Sequence, residues 1–237
     1  MRFVVSPEIF KLYPNLRLPV VVAGGVDAAA DPAGVERLWR QAWEEAGHSA
    51  PNYAKAQSHP RIAAWRDAMA ATGVSGRKFP SSVESLLRRA FKGGEPPRIN
   101  PLVDFYNFVS LRHVVPAGGF DLAQLSDVLE LRLTREGDTF RPLDSTSVER
   151  VEAGEVAYAP GNEVLTRHFV WKQSHKGLLG ESTSSVFLVC EVLGEAEESA
   201  DGLAQAVLED LSEGVRRYFG AEPATFLVEE RVPAASW

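Results

Sequence analysis

Cysteine is almost missing from this 237-residue chain, and Cys190 is the single one. One thiol closes no internal disulfide, and no metal-ligand spacing surrounds it. A reducing, cytoplasmic setting is therefore expected. Cys190 ends the apolar run Val186-Phe187-Leu188-Val189-Cys190, which makes it a buried strand residue and not a nucleophile. Long apolar runs are missing too. Nothing approaches the roughly 20 residues of a membrane helix. The opening residues, Met1-Arg2-Phe3-Val4-Val5-Ser6-Pro7, carry neither the apolar stretch nor the small-residue cleavage site of a signal peptide. A soluble chain with no membrane partner is expected. GxxxxGK(S/T), GxSxG and HExxH are all absent, and with them the usual phosphate loop, nucleophile elbow and zinc helix. Gly24-Gly25 and Gly118-Gly119 are isolated pairs, and the five histidines (48, 59, 113, 168 and 175) show no i,i+4 pairing. No cofactor and no metal is expected.

Apolar residues make up 45% of the chain, enough for a sizeable core; a chain of this length buries roughly 70% of its unfolded surface on folding. The net charge of −7 argues against broad nucleic-acid binding, which needs phosphate-neutralising cations. The charge is uneven, however. Residues 61–113 hold nine Lys or Arg against four Asp or Glu. A basic face on an acidic protein suits docking of one specific RNA; the same surplus also fits a few solvated helix faces.

Residues 2–5 and 18–23 read as short strands. Asp31-Pro32 opens a helix that Gly47 closes, with Val35, Leu38, Trp39, Ala42, Trp43 and Ala46 at helical spacing, so the two tryptophans read as core. A second helix runs from His59-Pro60 to Gly73. A third follows Ser81, whose spacing to Glu84 is that of a capping box, and a fourth covers about 100–112. Strands then dominate from about residue 126: 128–133, with Glu130 and Arg132 facing out, then 154–158, 164–165, 167–171 and 185–192. Residues 194–202 read as an acidic surface loop, a last helix spans about 200–219, a strand covers 226–228, and 233–237 are expected to fray. Helices first and strands second point to α+β, with the helices of 32–92 packed beside a mixed or antiparallel sheet built from 126–192, in a single domain spanning 1–237.

Two segments are dense in polar and aromatic groups. In Arg167-His168-Phe169-Val170-Trp171-Lys172-Gln173, an extended strand would put Arg167, Phe169, Trp171 and Gln173 on one side. Cations beside aromatics suit phosphates and a stacked base; an amphipathic strand with a core tryptophan is the alternative. In Asn100-Pro101-Leu102-Val103-Asp104-Phe105-Tyr106-Asn107-Phe108-Val109-Ser110-Leu111, Asp104 and Asn107 share a helix face. They form either a structural polar network or a pocket wall.

This second segment continues to Pro116, Gly118, Phe120, Asp121 and Leu122. Together they resemble the N-x-(L/I/V)-V-D-x-x-N-Y-V-x-L and P-x-x-x-(F/Y)-D-L stretches of the B3/B4 module of bacterial phenylalanyl-tRNA synthetase β-subunits. Gly154-Glu155-Val156-Ala157-Tyr158, the Arg167–Trp171 stretch, Glu181-Ser182-Thr183 and Val186-Phe187-Leu188 are similar to free-standing relatives of that module. The resemblance is strongest over 60–195. It implies an α+β fold whose pocket hydrolyses mischarged aminoacyl-tRNA. Two positions depart from it. Gly118 stands where the synthetase has a histidine, and Val189 where it has a glutamate, with Glu191 two residues on along the same strand face.

The resemblance implies a trans-editing aminoacyl-tRNA hydrolase. A non-catalytic tRNA-binding module and a small-metabolite binding protein remain open beside it. Its catalytic candidates are Asn107 and Asp104 for positioning, Glu191 for the substrate ammonium or water, and His168 or His113 as proton carrier. Arg167, Lys172, Arg77 and Lys78 are expected at the pocket mouth on the tRNA acceptor end, with Trp171 stacking a base and His113 and Gly118 as further substrate or tRNA contacts.

Overall fold

Two stretches, residues 18–24 and 185–190, are apolar at nearly every position and lie buried as the middle strands of one sheet. A short continuous apolar run is the pattern of a strand covered on both sides. The computed structural model describes residues 1–194 and 197–237. Its elements in chain order are β1 (Arg2–Val5), α1 (Pro7–Leu12), β2 (Leu18–Gly24), α2 (Pro32–Ser49), α3 (Pro60–Ala71), α4 (Ser82–Ala90), α5 (Pro101–His113), β3 (Ala117–Asp121), β4 (Val128–Leu133), β5 (Thr139–Phe140), β6 (Glu149–Arg150), β7 (Val156–Ala159), β8 (Thr166–Arg167), β9 (Lys172–Gln173), β10 (Ser185–Cys190), α6 (Glu197–Phe219), β11 (Ala224–Val228) and β12 (Ala234–Ser236). The fold is α+β.

The central sheet has the antiparallel order β11-β2-β10-β3. Strand alternation sends its side chains to two separate cores. Val21, Ala23, Val186, Leu188 and Cys190 meet the helices α2, α4, α5 and α6. Val20, Val22, Phe187 and Val189 meet a second sheet, order β12-β1-β4-β7, together with α1 and with Trp65 and Met69 of α3. In that second sheet β1 and β4 run parallel and the other pairs antiparallel. Three layers result, and both cores draw residues from either side of position 125. Among the described residues no helix is long and apolar enough to cross a membrane.

The helix starts follow their sequence signals. Asp31, Ser81 and Asn100 each accept a hydrogen bond from the backbone N–H three residues on, and Pro32 and Pro101 sit in the first turn. Trp39 and Trp43 are buried, their indole N–H groups donating to the carbonyls of Pro97 and Gly94. Ser81 and Glu84 complete only half of a capping box, because the Glu84 carboxylate turns to Arg66 instead.

Several expectations need correction. The helices do not pack on a sheet built from 126–192: of that stretch only β10 belongs to the central sheet, while β4 and β7 lie in the second. β10 pairs with residues 18–24 and 117–121, and 18–24 pairs in turn with 224–228; pairing at such sequence distances leaves no local signal. Arg132 does not face out. It is 2% exposed, paired with Asp138 at 2.7 Å and 3.1 Å, so its charge is matched inside the core. Residues 167–171 are not one extended strand: Arg167 ends β8, and 168–171 form the bend of the hairpin to β9, with His168 and Phe169 at φ 46° and 63°. The acidic stretch 194–202 is already helical from Glu197, and its positions 195 and 196 lie outside the described residues. The C-terminus does not fray. β12 pairs with β1, and Trp237 packs on Phe187 and Phe226.

The helical layer leaves no spare room where α5 crosses α6. A Cβ on Gly214 would lie 2.2 Å from two ring carbons of Phe105, whereas one on Gly202 of the same helix would meet nothing within 4 Å. Alanine at the two sites therefore has opposite expected effects. Gly214→Ala should lower the stability read from urea unfolding by about 1–3 kcal/mol through overpacking. Gly202→Ala should raise it by roughly 0.5–1 kcal/mol through helix propensity. An unchanged midpoint for Gly214→Ala would refute this α5–α6 contact.

Candidate functional site

A cavity of about 130 Å³ opens where α5, β3, β7 and the end of β10 meet the β8–β9 hairpin. Its walls are set by backbone geometry. Helix α5 ends at Val114, which takes the left-handed conformation at φ 50° and donates its N–H to Leu111 and Ser110. That turn reverses the chain into β3 and sets Asn107 and Gly118 in the same wall. Gly119 must lack a side chain for α5, β3 and β10 to approach: a Cβ there would lie 2.7 Å from Leu188 and 2.8 Å from Leu179. Gly118 faces the other way, and its missing side chain leaves open space with nothing within 4 Å.

Glu191 follows β10 directly, and the two-residue spacing brings Val189 and Glu191 to the same cavity. Its carboxyl is 4% exposed and accepts a hydrogen bond from the Tyr158 hydroxyl at 2.8 Å. Burial pushes Glu191 up to about 8, against the smaller opposing effect of the tyrosine bond. The Tyr158 hydroxyl is raised as well, by burial first and by Glu191 second. Glu191 is consequently a neutral acid at neutral pH, able to donate its proton into the cavity. An ammonium could be held there only by displacing that proton. Asn107 is half-buried, and among the described residues its amide has no hydrogen-bond partner. Asp104, one turn earlier, is turned away. It accepts from the Ile99 N–H at 3.1 Å and from Arg98 at 3.2 Å, and burial raises its pKa.

The hairpin closes the opposite wall. Glu155 clamps it, accepting from Arg167 at 2.8 Å and 3.0 Å and from the His168 N–H. The left-handed pair drives Phe169 inward to 1% exposure, against Tyr13, Trp65 and Tyr158. Trp171 lies across the Phe79 ring at 4.7 Å and lines the cavity together with Lys172, whose ammonium bonds Asp144 at 3.0 Å. His168 goes to the other side of the bend. Its ring rests 3.7 Å from that of Phe79 and borders a separate cavity of about 340 Å³ with Tyr13, Thr72 and Glu155. Burial lowers its pKa, Glu155 opposing, and among the described residues its buried Nδ1 has no hydrogen-bond partner.

The structure thus brings together Asn107, Gly118, Trp171, Lys172 and Glu191. It does not bring Asp104, His168 or His113 to them. His113 binds Asp210 at 2.7 Å, at the far end of α5. Arg167 is matched by Glu155 and Glu149, and Arg77 and Lys78 are exposed in the loop before α4, outside the cavity wall. The sequence reading missed Tyr158. Its signal was a phenol inside an apolar strand, since a buried tyrosine hydroxyl needs a partner.

The sequence profile of the B3/4 domain matches residues 64–204. The phenylalanine–tRNA ligase β-subunit of Dickeya dadantii is 34% identical over 92 residues, 39% of this chain and 11% of that subunit. The β-subunit of Pectobacterium atrosepticum is 28% identical over 126 residues, 53% of this chain and 15% of that subunit. The chain therefore matches only a small part of these relatives. An N-terminal fragment of the phenylalanyl-tRNA synthetase β-subunit from Pyrococcus horikoshii overlays 96% of this chain and 54% of its own length, at TM-score 0.41 and 10% identity.

The raised pKa of Glu191 has a stability consequence of definite sign. Its ordinary value is 4.5 and its folded value about 8. The folded chain therefore holds a proton that the unfolded chain releases between those two pH values. The cost is absent below the lower value, grows through the interval and is complete above about pH 8, reaching a few kcal/mol at most. Glu191→Gln keeps an acceptor for Tyr158 and removes the titration. Thermal melts should show the variant gaining on the parent as pH rises from 5 to 8.5. A difference independent of pH would remove the neutral-acid assignment.

Proposed function

We propose, from the premise that this chain belongs to the B3/4 domain family, that its cavity receives the aminoacyl end of a tRNA and hydrolyses the ester joining amino acid to ribose. One observation carries the reading. Asn107 and Glu191, from the two segments that resemble the synthetase module, face a single cavity with unspent hydrogen-bonding capacity. The volume of about 130 Å³ is well below the roughly 300–1,000 Å³ of sites for drug-sized ligands and suits an amino-acid side chain. The aminoacyl ester is already activated, so the protein need only orient water and stabilise the developing charge. Asn107 orients one of these groups through its free amide. Glu191 serves as acid while protonated and as base once it ionises, and an acid–base group titrating near the working pH suits both steps. The carboxyl that titrates near 8 takes the part expected of a histidine, because His168 is turned away. A cytoplasmic location accompanies this reading, since aminoacylated tRNA is found there.

A second reading, tRNA binding without catalysis, is favoured by Gly118, which leaves empty the position held by a histidine in the synthetase. A panel of mischarged tRNAs separates the two. The chain should accelerate deacylation of at least one, with a rate that rises with pH and levels off above about 8. Glu191→Gln should lower that rate by roughly 10²-fold and abolish the inflection, and Asn107→Ala should lower it with the pH profile kept. Binding of tRNA with no acceleration across the panel would establish the non-catalytic reading.

A further inference from the structure

A second cleft, of about 490 Å³, lies beside the hairpin and is lined by Arg141, His175, Lys176, Ser145, Thr146 and the neighbouring Gln124 and Glu163. Its basic side chains come from two segments held together by one buried hydroxyl. Ser174 is 0% exposed, donates through Oγ to the Arg141 carbonyl at 3.1 Å and accepts from the Lys176 N–H at 3.2 Å. The His175 N–H donates to the same Arg141 carbonyl at 3.0 Å. The backbones of Arg141, His175 and Lys176 are therefore fixed, and their side chains project into one space. Such preorganisation lowers the ordering cost of binding.

The charge in this cleft is only partly matched. Among the described residues Arg141 makes no side-chain hydrogen bond or ion pair. Glu163 is the single carboxylate in the wall, and it stands 3.6 Å from Lys176. Of the basic residues singled out by sequence density, Arg66 is paired with Glu84, Arg98 with Glu36 and Asp104, and Arg112 with Asp210, while Arg77, Lys78, Arg88, Arg89 and Lys92 make no ion pair among the described residues but line neither cavity. The cleft also lies next to the first cavity. Lys172, in the cavity wall, bonds Asp144, and the next residue, Ser145, lines the cleft.

We infer that the cleft of Arg141, His175 and Lys176 holds backbone phosphates of the single-stranded 3′ end of an RNA whose terminal aminoacyl group lies in the first cavity. The inference rests on the reading of the first cavity given above. A guanidinium, an ammonium and an imidazole around an open, hydroxyl-lined space match the oxygens of successive phosphodiesters. In this arrangement the RNA end crosses from cleft to cavity over the Lys172–Asp144 pair.

The probe is an RNA microhelix bearing a tRNA acceptor stem and its single-stranded CCA end, with affinity read by fluorescence anisotropy over a salt series. The Arg141→Gln/Lys176→Gln variant should bind at least tenfold more weakly at low salt, and its log–log salt slope should be shallower by about 1.4, at about 0.7 per single-strand phosphate contact. If that variant melts abnormally, His175→Ala, an exposed position, is read in the same assay, and a several-fold loss is expected. Undiminished RNA affinity in a folded variant, while the parent chain binds, overturns the cleft assignment and leaves the first cavity untouched. Inorganic pyrophosphate that binds the parent without displacing the RNA would assign the cleft to a free phosphate and overturn it too. No RNA binding by the parent chain overturns both this inference and the reading it rests on.

Discussion

Strand β10 has covered faces on both sides, and the rest of the architecture accommodates that. Its Val186, Leu188 and Cys190 require the helical layer, and its Phe187 and Val189 require the second sheet. Full burial of each large apolar side chain contributes about 1.5–3 kcal/mol, so the register with β2 and β3 is strongly determined; a slip by one residue would exchange the two faces. The same burial seals the strand's end, where the polar Glu191 emerges into a gap between the layers.

Carboxylates withdrawn from water in this protein have different kinds of partner. Asp138 is paired with Arg132, Glu84 with Arg66 and Glu155 with Arg167. Each lies beside a guanidinium, which offsets the cost of removing a carboxylate from water. Glu191 has a tyrosine and no cation as its partner, and it meets the same cost by holding its proton. A carboxyl displaced from its ordinary range by desolvation, in a cavity wall, is a mark of a functional position. The paired carboxylates have structural work instead: Glu155 fixes the hairpin, and Arg132–Asp138 anchors the turn after β4.

Much was legible in the chain itself because the physics was local. Asp31-Pro32, Ser81 and Asn100-Pro101 mark helix starts through hydrogen bonds spanning three residues, and Trp39 and Trp43 declare a core face by their spacing. The run ending at Cys190 showed a strand without a solvent face. The wall residues Asn107, Gly118 and Glu191 were legible for another reason, their place in segments resembling a known module. The hairpin was not, since Arg167–Gln173 alternates well enough for a strand. Its bend depends on Glu155, twelve positions before Arg167, holding two residues in the left-handed region.

The sequence by itself determined where helices begin, which runs are buried on both sides, and that the chain is α+β, because capping, periodicity and apolar content act within a few residues. Only the tertiary structure decided which charges are spent and which are available. Arg132 and Arg167 are neutralised by carboxylates of other segments, Arg141 and Lys176 are gathered into a cleft by a buried serine, and Glu191 keeps its proton. The energy of a charge depends on the dielectric and partners around it, and chain neighbours do not specify those.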